Sequence, residues 1–264
     1  MRAVIFIPAR YASTRFSGKP LAMLTGATGD SKSLIRRSWE AAESAKRIAE
    51  LYVLTDNEEI AEAVRAFGGQ ALMTSASCRN GTERCAEAVA MLGTQPDVVV
   101  NLQGDAPLTP AHYIEALIAE MANDPLVAIA TPVLRTQSTH LANLQTDRDA
   151  GRVGATTAVF DSHGDALYFS KEILPYYDNA PPDAVPVYHH VGCYAYRPEA
   201  LKAYSSLPEG PLELREGLEQ LRFLENGIKI RCVIVDAEGR EFWELNNPTD
   251  IPVIEAILAK EGRP

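Results

Sequence analysis

The chain of 264 residues has few cysteines, few aromatic residues and no excess of positive charge. Its four cysteines, Cys78, Cys85, Cys193 and Cys232, are scattered and include no Cys-x-x-Cys pair. That pattern argues against a zinc site and leaves reduced thiols that serve packing, with Cys78 as the one exception to watch. No run approaches the roughly 18 apolar residues of a membrane span. Arg2 leads directly into a strand-like run without the apolar stretch and cleavage site of a signal peptide, so a cytoplasmic protein with no membrane partner is expected. Lys and Arg total 25 against 35 Asp and Glu, a formal charge of −10. A broad nucleic-acid surface, which needs many cationic contacts to phosphates, is therefore not expected. The Gly-x-x-x-x-Gly-Lys-Ser/Thr phosphate loop and the Gly-x-Gly-x-x-Gly dinucleotide fingerprint are also missing, which weakens ordinary kinase and dehydrogenase readings.

What remains is an ordinary globular composition, 46% hydrophobic and 23% charged. Residues 2–8 form a short apolar run rich in β-branched side chains, as expected of a strand buried on both faces of a parallel sheet. Similar runs follow at 51–55, 70–74 and 98–102, separated by helical spacing at 33–47, 57–67 and 82–92. Asp56 is the expected cap of the second helix. This β-α alternation predicts an α/β protein with a three-layer parallel sheet. Farther on, the pattern predicts a helix at 110–122, a strand at 127–133 and a polar stretch at 136–152. A hairpin follows at 157–161 and 166–170, turning at Ser162-His163-Gly164-Asp165. Next come a loop at 176–186, a strand at 190–196, helices near Pro198 and at 212–225, a strand at 229–235 and a last helix after Pro248. The expected organisation is one domain over 1–264, with an inserted antiparallel acceptor and dimerisation lobe at about 153–210.

Two segments carry chemistry. The loop Pro8-Ala9-Arg10-Tyr11-Ala12-Ser13-Thr14-Arg15-Phe16-Ser17-Gly18-Lys19-Pro20-Leu21 follows the first strand, at the carboxyl end where open α/β sheets bind ligands. Its Arg10, Arg15 and Lys19 are a local cationic cluster in an acidic chain and suit a small polyanion. A triphosphate, with about four negative charges, matches two guanidinium forks and a lysine. Gly18 and the small residues Ala12, Ser13 and Ser17 let backbone amides approach phosphate oxygens. The second segment is Asn101-Leu102-Gln103-Gly104-Asp105, in which Asp105 stands just past a buried strand and can hold Mg²⁺ against phosphate.

Together with Asn80-Gly81-Thr82-Glu83-Arg84, Ala166-Leu167-Tyr168-Phe169-Ser170, the 190–197 segment and Leu218-Glu219-Gln220-Leu221-Arg222, these segments resemble the 3-deoxy-manno-octulosonate (KDO) cytidylyltransferase family. The resemblance implies a three-layer α/β/α nucleotidyltransferase (Rossmann-like) fold with a small antiparallel lobe. It also implies transfer of CMP from CTP to an acidic sugar, with release of pyrophosphate and Mg²⁺ as cofactor. It places Pro8, Ala9, Arg10, Ser13, Arg15, Lys19, Gly81, Thr82 and Gln103 around the nucleotide, with Arg10, Arg15, Lys19 and Asp105 as catalytic residues. Asp105 and the position of Asn246 would serve the metal, and His190, Tyr194, Glu213, Glu216, Gln220 and Lys171 the acceptor. Glu213, Glu216 and Gln220 are spaced for one face of one helix. A homodimer is implied as well.

The chain departs from the family pattern where metal and acceptor are expected. Asn246 replaces a carboxylate in Glu244-Leu245-Asn246-Asn247-Pro248, which predicts weaker metal binding or recruitment of Glu244 or Asp250. Ala106, Thr157, Lys171 and Cys78 stand where the family has Glu, Lys, Arg and His. Lysine cannot form the bidentate fork of arginine on a carboxylate, so these exchanges leave open an acceptor other than KDO. A nucleotide-binding homologue without catalysis is the further alternative.

Overall fold

The computed structural model describes residues 1–12, 16–136, 138–151, 155–176 and 186–264. The strands are β1 (Ala3–Pro8), β2 (Met23–Thr25), β3 (Ser31–Ser33), β4 (Ile48–Thr55), β5 (Ala71–Met73), β6 (Val98–Leu102), β7 (Ile129–Arg135), β8 (Thr157–Phe160), β9 (Ala166–Ser170), β10 (Tyr188–His190), β11 (Cys193–Tyr196) and β12 (Arg231–Val235). The helices are α1 (Leu34–Glu43), α2 (Glu58–Ala66), α3 (Gly81–Met91), α4 (Ala111–Asn123), α5 (Ser138–Asp149), α6 (Pro198–Tyr204), α7 (Pro211–Glu216), α8 (Leu221–Glu225) and α9 (Ile251–Lys260). Short 3₁₀ turns at Lys19–Leu21 and Pro248–Asp250 complete the frame.

Strands β5, β4, β1 and β6 lie side by side in that order and run parallel. Alternation along these strands produces the expected layers. Ala3, Ile5 and Ile7 of β1 join Val98, Val100 and Leu102 of β6 beneath Ile35, Trp39, Val64 and Leu117 on one face. Val4, Phe6 and Val99 pack with Cys85, Val89, Leu201 and Phe223 on the other. Each such side chain contributes about 1.5–3 kcal/mol through burial. After β1 the chain builds β4 and β5 on one side, then returns to place β6 on the other. The strand order thus reverses between β1 and β6, where a crevice forms at the carboxyl ends.

Beyond β6 the sheet turns antiparallel. β11 pairs with β6 and β7, β10 pairs with β7 and β8, and β8 pairs with β9, while β12 lies parallel to β7. The Ala166 N–H donates to the Ile230 carbonyl at 2.8 Å and the Cys232 N–H to the Gly164 carbonyl at 2.7 Å. The β8–β9 hairpin therefore folds back onto β12, and the antiparallel part curls into a small lobe that is continuous with the main sheet. No helix among the described residues is long and apolar enough to cross a membrane.

Several expectations need correction. The strand expected at 190–196 is two strands, because Val191 and Gly192 interrupt it and let one segment pair first with β8 and then with β6. The helix expected at 212–225 is broken by Gly217, whose φ of 64° is left-handed and ends α7. The polar stretch at 136–152 contains α5, and the β2–β3 hairpin was not anticipated. The second helix is capped by Asn57, whose Oδ1 accepts the Ile60 N–H at 3.1 Å. Asp56 faces Arg84 at 3.3 Å instead. Most of the loop expected at 176–186 lies outside the described residues.

Candidate active site

Three loops meet at the β1–β6 crevice. Pro8 and Ala9 leave β1, with the Ala9 N–H donating to the Leu54 carbonyl at 2.8 Å. Gly18, at a left-handed φ of 68°, turns the loop back and donates its N–H to the Tyr11 carbonyl at 3.0 Å. Lys19 then begins a 3₁₀ turn and donates from Nζ to Asp105 Oδ2 at 2.6 Å. Asp105 reaches this point because Gly104 lets two loops touch: a Cβ at Gly104 would lie 2.6 Å from the Pro8 carbonyl oxygen. The Asp105 carbonyl also accepts the Leu245 N–H at 2.9 Å, which brings the turn carrying Glu244 and Asn246 alongside. Arg10 is exposed and reaches the Arg79 carbonyl at 3.5 Å. Ser13 and Arg15 lie outside the described residues.

The third loop delivers the start of α3. Asn80 caps it, accepting the Glu83 N–H at 2.9 Å and donating from Nδ2 to the Tyr204 hydroxyl at 2.9 Å. A Cβ on Gly81 would stand 3.4 Å from Pro8 Cγ and 3.6 Å from the amide nitrogens of both Asn101 and Gln103. Gly81, Gln103 and Pro8 therefore line one slot. Thr82 is buried, and its N–H donates to Glu219 Oε2 at 3.5 Å. Burial pushes the Glu219 carboxyl above the usual range, and the Thr82 N–H opposes that shift. Asn101 is fully buried, with neither side-chain amide atom hydrogen-bonded.

The acceptor-side residues do not form one surface. His190 is buried, with Nε2 at 3.0 Å from Thr131 Oγ1 and its ring against Phe169 and Tyr194. Desolvation pulls its pKa down to about 3, so it is neutral. Burial also pushes the Tyr194 phenol well up, reinforced by the Glu219 carboxylate. Glu213 is consumed by Arg222, which donates from Nε at 2.7 Å and from Nη2 at 2.6 Å. Glu216 accepts from Ser170 Oγ at 2.7 Å and from the Lys171 N–H at 2.9 Å, fixing the end of β9. Gln220, beyond the break at Gly217, is buried with Nε2 unpartnered. The single helical face expected for Glu213, Glu216 and Gln220 is therefore absent, because the left-handed glycine turns the chain between them. Thr157 is internal, its hydroxyl donating to the Glu172 carbonyl at 2.7 Å. Cys78 Sγ donates to Glu87, and its thiol is pushed up to about 11 by burial, so it is not a reactive thiolate.

The oxygen donors at Asp105 fit Mg²⁺ only in the manner of a substrate-completed site. Among the described residues no three His, Cys, Asp or Glu side chains are placed to hold a metal together. Asp250 is committed to a cap, since its Oδ2 accepts the Asn246 N–H at 2.8 Å and the Asn247 N–H at 2.7 Å. Glu244 Oε1 points toward Gly192, 3.3 Å from where a Cβ there would lie. Asp105, with Asn246 on the neighbouring turn, would leave most of the coordination of Mg²⁺ to phosphate and water, which is how that ion is commonly held.

A model of the family described as "Cytidylyltransferase" matches residues 4–230. The chain belongs to the cytidylyltransferase family. It is 42% identical over 262 residues to the 3-deoxy-manno-octulosonate cytidylyltransferase of Maricaulis maris, covering 99% of each chain. It is 44% identical over 263 residues to the enzyme of that name from Bacteroides thetaiotaomicron, covering 98% of each. Among solved structures, CMP:2-keto-3-deoxy-manno-octonic acid synthetase complexed with CTP superposes with a TM-score of 0.84 at 35% identity, covering 99% of this chain and 100% of that one. Two polar residues that the sequence does not single out, Glu219 and Asn101, stand beside this crevice. Glu219 lies beyond the break at Gly217, so spacing gives no sign of its contact with Thr82. Asn101 left a visible signal, as a lone amide in the apolar run Val98-Val99-Val100-Asn101-Leu102.

Proposed function

We propose that this chain transfers the CMP unit of CTP to the anomeric hydroxyl of KDO or a closely similar acidic sugar, with Mg²⁺ as cofactor. The observation that carries this reading is the meeting of Lys19 and Asp105 at the reversal of strand order between β1 and β6. A cation for phosphate and a carboxylate for a metal stand there within one triphosphate's reach. Lys19, with Arg10 and Arg15, grips the β- and γ-phosphates and stabilises the charge that develops on departing pyrophosphate. Gly81, Thr82 and Gln103, with Pro8, Ala9 and Ser13, seat the base and ribose. Mg²⁺ held by Asp105, with Asn246 beside it, would offset charge between the acceptor oxygen and the α-phosphate. The acceptor is oriented by Tyr194, neutral His190, Gln220 and Lys171, whose backbone Glu216 anchors. Glu213 contributes through Arg222. Attack is in line, the acceptor oxygen displacing pyrophosphate from the α-phosphorus.

A second reading keeps this chemistry and changes the acceptor. It is favoured by the internal Thr157 hydroxyl where a family lysine would extend, and by Lys171 in place of arginine. Pyrophosphate release from CTP and Mg²⁺, measured with KDO, an amino-KDO and other ulosonic acids, tests both. Preferential turnover of KDO supports the first reading, while preference for another acid supports the second. Turnover of none overturns the enzymatic reading. We further propose a cytoplasmic homodimer formed through the antiparallel lobe, to be checked by sedimentation at micromolar concentration.

A further inference from the structure

We propose that Lys19 is a built-in competitor for the divalent cation. While its ammonium holds Asp105 the carboxylate binds metal weakly, and an arriving triphosphate strengthens that binding by drawing the ammonium away. This inference rests on the proposed function, in which Asp105 takes the metal and Lys19 the phosphates. The contact is direct, Nζ to Oδ2 at 2.6 Å, and both side chains are shielded, at 17% and 25% exposure. Lys19 occupies Oδ2 alone, so a cation arriving at the same carboxylate meets a second positive charge beside it, and the repulsion weakens its binding.

The backbone holds both partners in place. Lys19 is the first residue of a 3₁₀ turn, between left-handed Gly18 and Pro20. Asp105 follows Gly104, which abuts the Pro8 carbonyl, and its own carbonyl is tied to the Leu245 N–H. The pair therefore returns to the same contact whenever nothing else claims either side chain. A second carboxylate would weaken this competition by giving the metal another anchor. Asn246 is neutral, Asp250 already accepts two backbone N–H groups, and Glu244 Oε1 is directed toward Gly192. A metal approaching without nucleotide meets the Lys19 charge at the Asp105 carboxylate. A metal approaching with a triphosphate finds Lys19 on phosphate, Asp105 released and phosphate oxygens supplied. Metal and nucleotide binding are thereby coupled, each favouring the other.

The test is Mn²⁺ binding to the full chain without nucleotide, followed by the electron paramagnetic resonance signal of free Mn²⁺, so that it does not depend on turnover. Lys19→Met and Lys19→Gln are compared with the wild type, and circular dichroism checks their folding; two variants guard against one failing to fold. Removing one cation in contact with the carboxylate is expected to tighten Mn²⁺ binding at least about tenfold. Adding Asp105→Asn to Lys19→Met is expected to abolish the gain. Equal Mn²⁺ binding by wild type and both variants, including none measurable, overturns the competition alone if the wild type binds CTP in calorimetry. A chain that binds no CTP, or a gain in Mn²⁺ affinity that survives Asp105→Asn, overturns the site reading and this proposal with it.

Discussion

The parallel and antiparallel parts of the sheet handle polar groups in opposite ways. In the loops that follow β1 and β6, Lys19 and Asp105 are paired but only partly shielded. Around β10, β11 and α8 they are buried and neutral or locked to one another. His190 is uncharged against Thr131, Glu213 is gripped by Arg222, and Glu216 ties down the end of β9. The first arrangement can exchange a protein partner for a phosphate or a metal. The second fixes shape, and its groups are costly to disturb. On the proposed function, charge for the reaction would come from one region and acceptor fit from the other.

The largest expected effect separates these roles. Asp105→Asn should lower kcat/KM about 10³-fold, in line with losing a preorganised electrostatic contact, and leave thermal unfolding nearly unchanged. An equal loss of stability would make Asp105 a structural residue. Gly104→Ala comes next. A Cβ 2.6 Å from the Pro8 carbonyl forces backbone apart and should cost about 1–3 kcal/mol in denaturant unfolding. Wild-type stability in this variant would show that the loops are not in contact.

On the other side, Glu216→Gln should raise the acceptor KM about fivefold, the weakening of one charged hydrogen bond, and leave the CTP KM unmoved. A matching rise for CTP would erase the distinction between the regions. A further effect concerns pH. His190 titrates near 6.5 when unfolded and near 3 when folded. Between those values the unfolded chain binds the extra proton, so this contribution is full above pH 6.5 and is lost as pH falls toward 3. The slope is at most about 1.4 kcal/mol per pH unit. His190→Gln should flatten the pH dependence of unfolding between pH 6 and 4 by that amount, and an unchanged slope would mean that His190 is not buried neutral.

The same contrast governs what the residues reveal unaided. β1, β4 and β6 are apolar runs separated by amphipathic helices, so periodicity alone places them and the crevice between them. Lys19 and Asp105 are far apart in sequence, yet each follows such a strand, and topology brings them together. The antiparallel part depends on single positions instead. Gly217 breaks one expected helix by adopting a left-handed conformation, and Gly192 with Val191 splits one expected strand between two neighbours. α5 carries mixed polar residues with no strong apolar stripe, so it offers little periodic signal. Partner choice is not legible in the sequence, because Glu213 meets Arg222 across the turn at Gly217 and Glu216 meets Ser170 on a distant strand.

The most direct test of the central claim is a crystal structure of the chain with CTP and Mg²⁺. The triphosphate is expected across the carboxyl ends of β1 and β6, with Lys19 Nζ moved from Asp105 onto phosphate and the Asp105 carboxylate on the metal. A triphosphate bound elsewhere, or Lys19 still paired with Asp105 beneath it, would contradict the proposed roles of both residues.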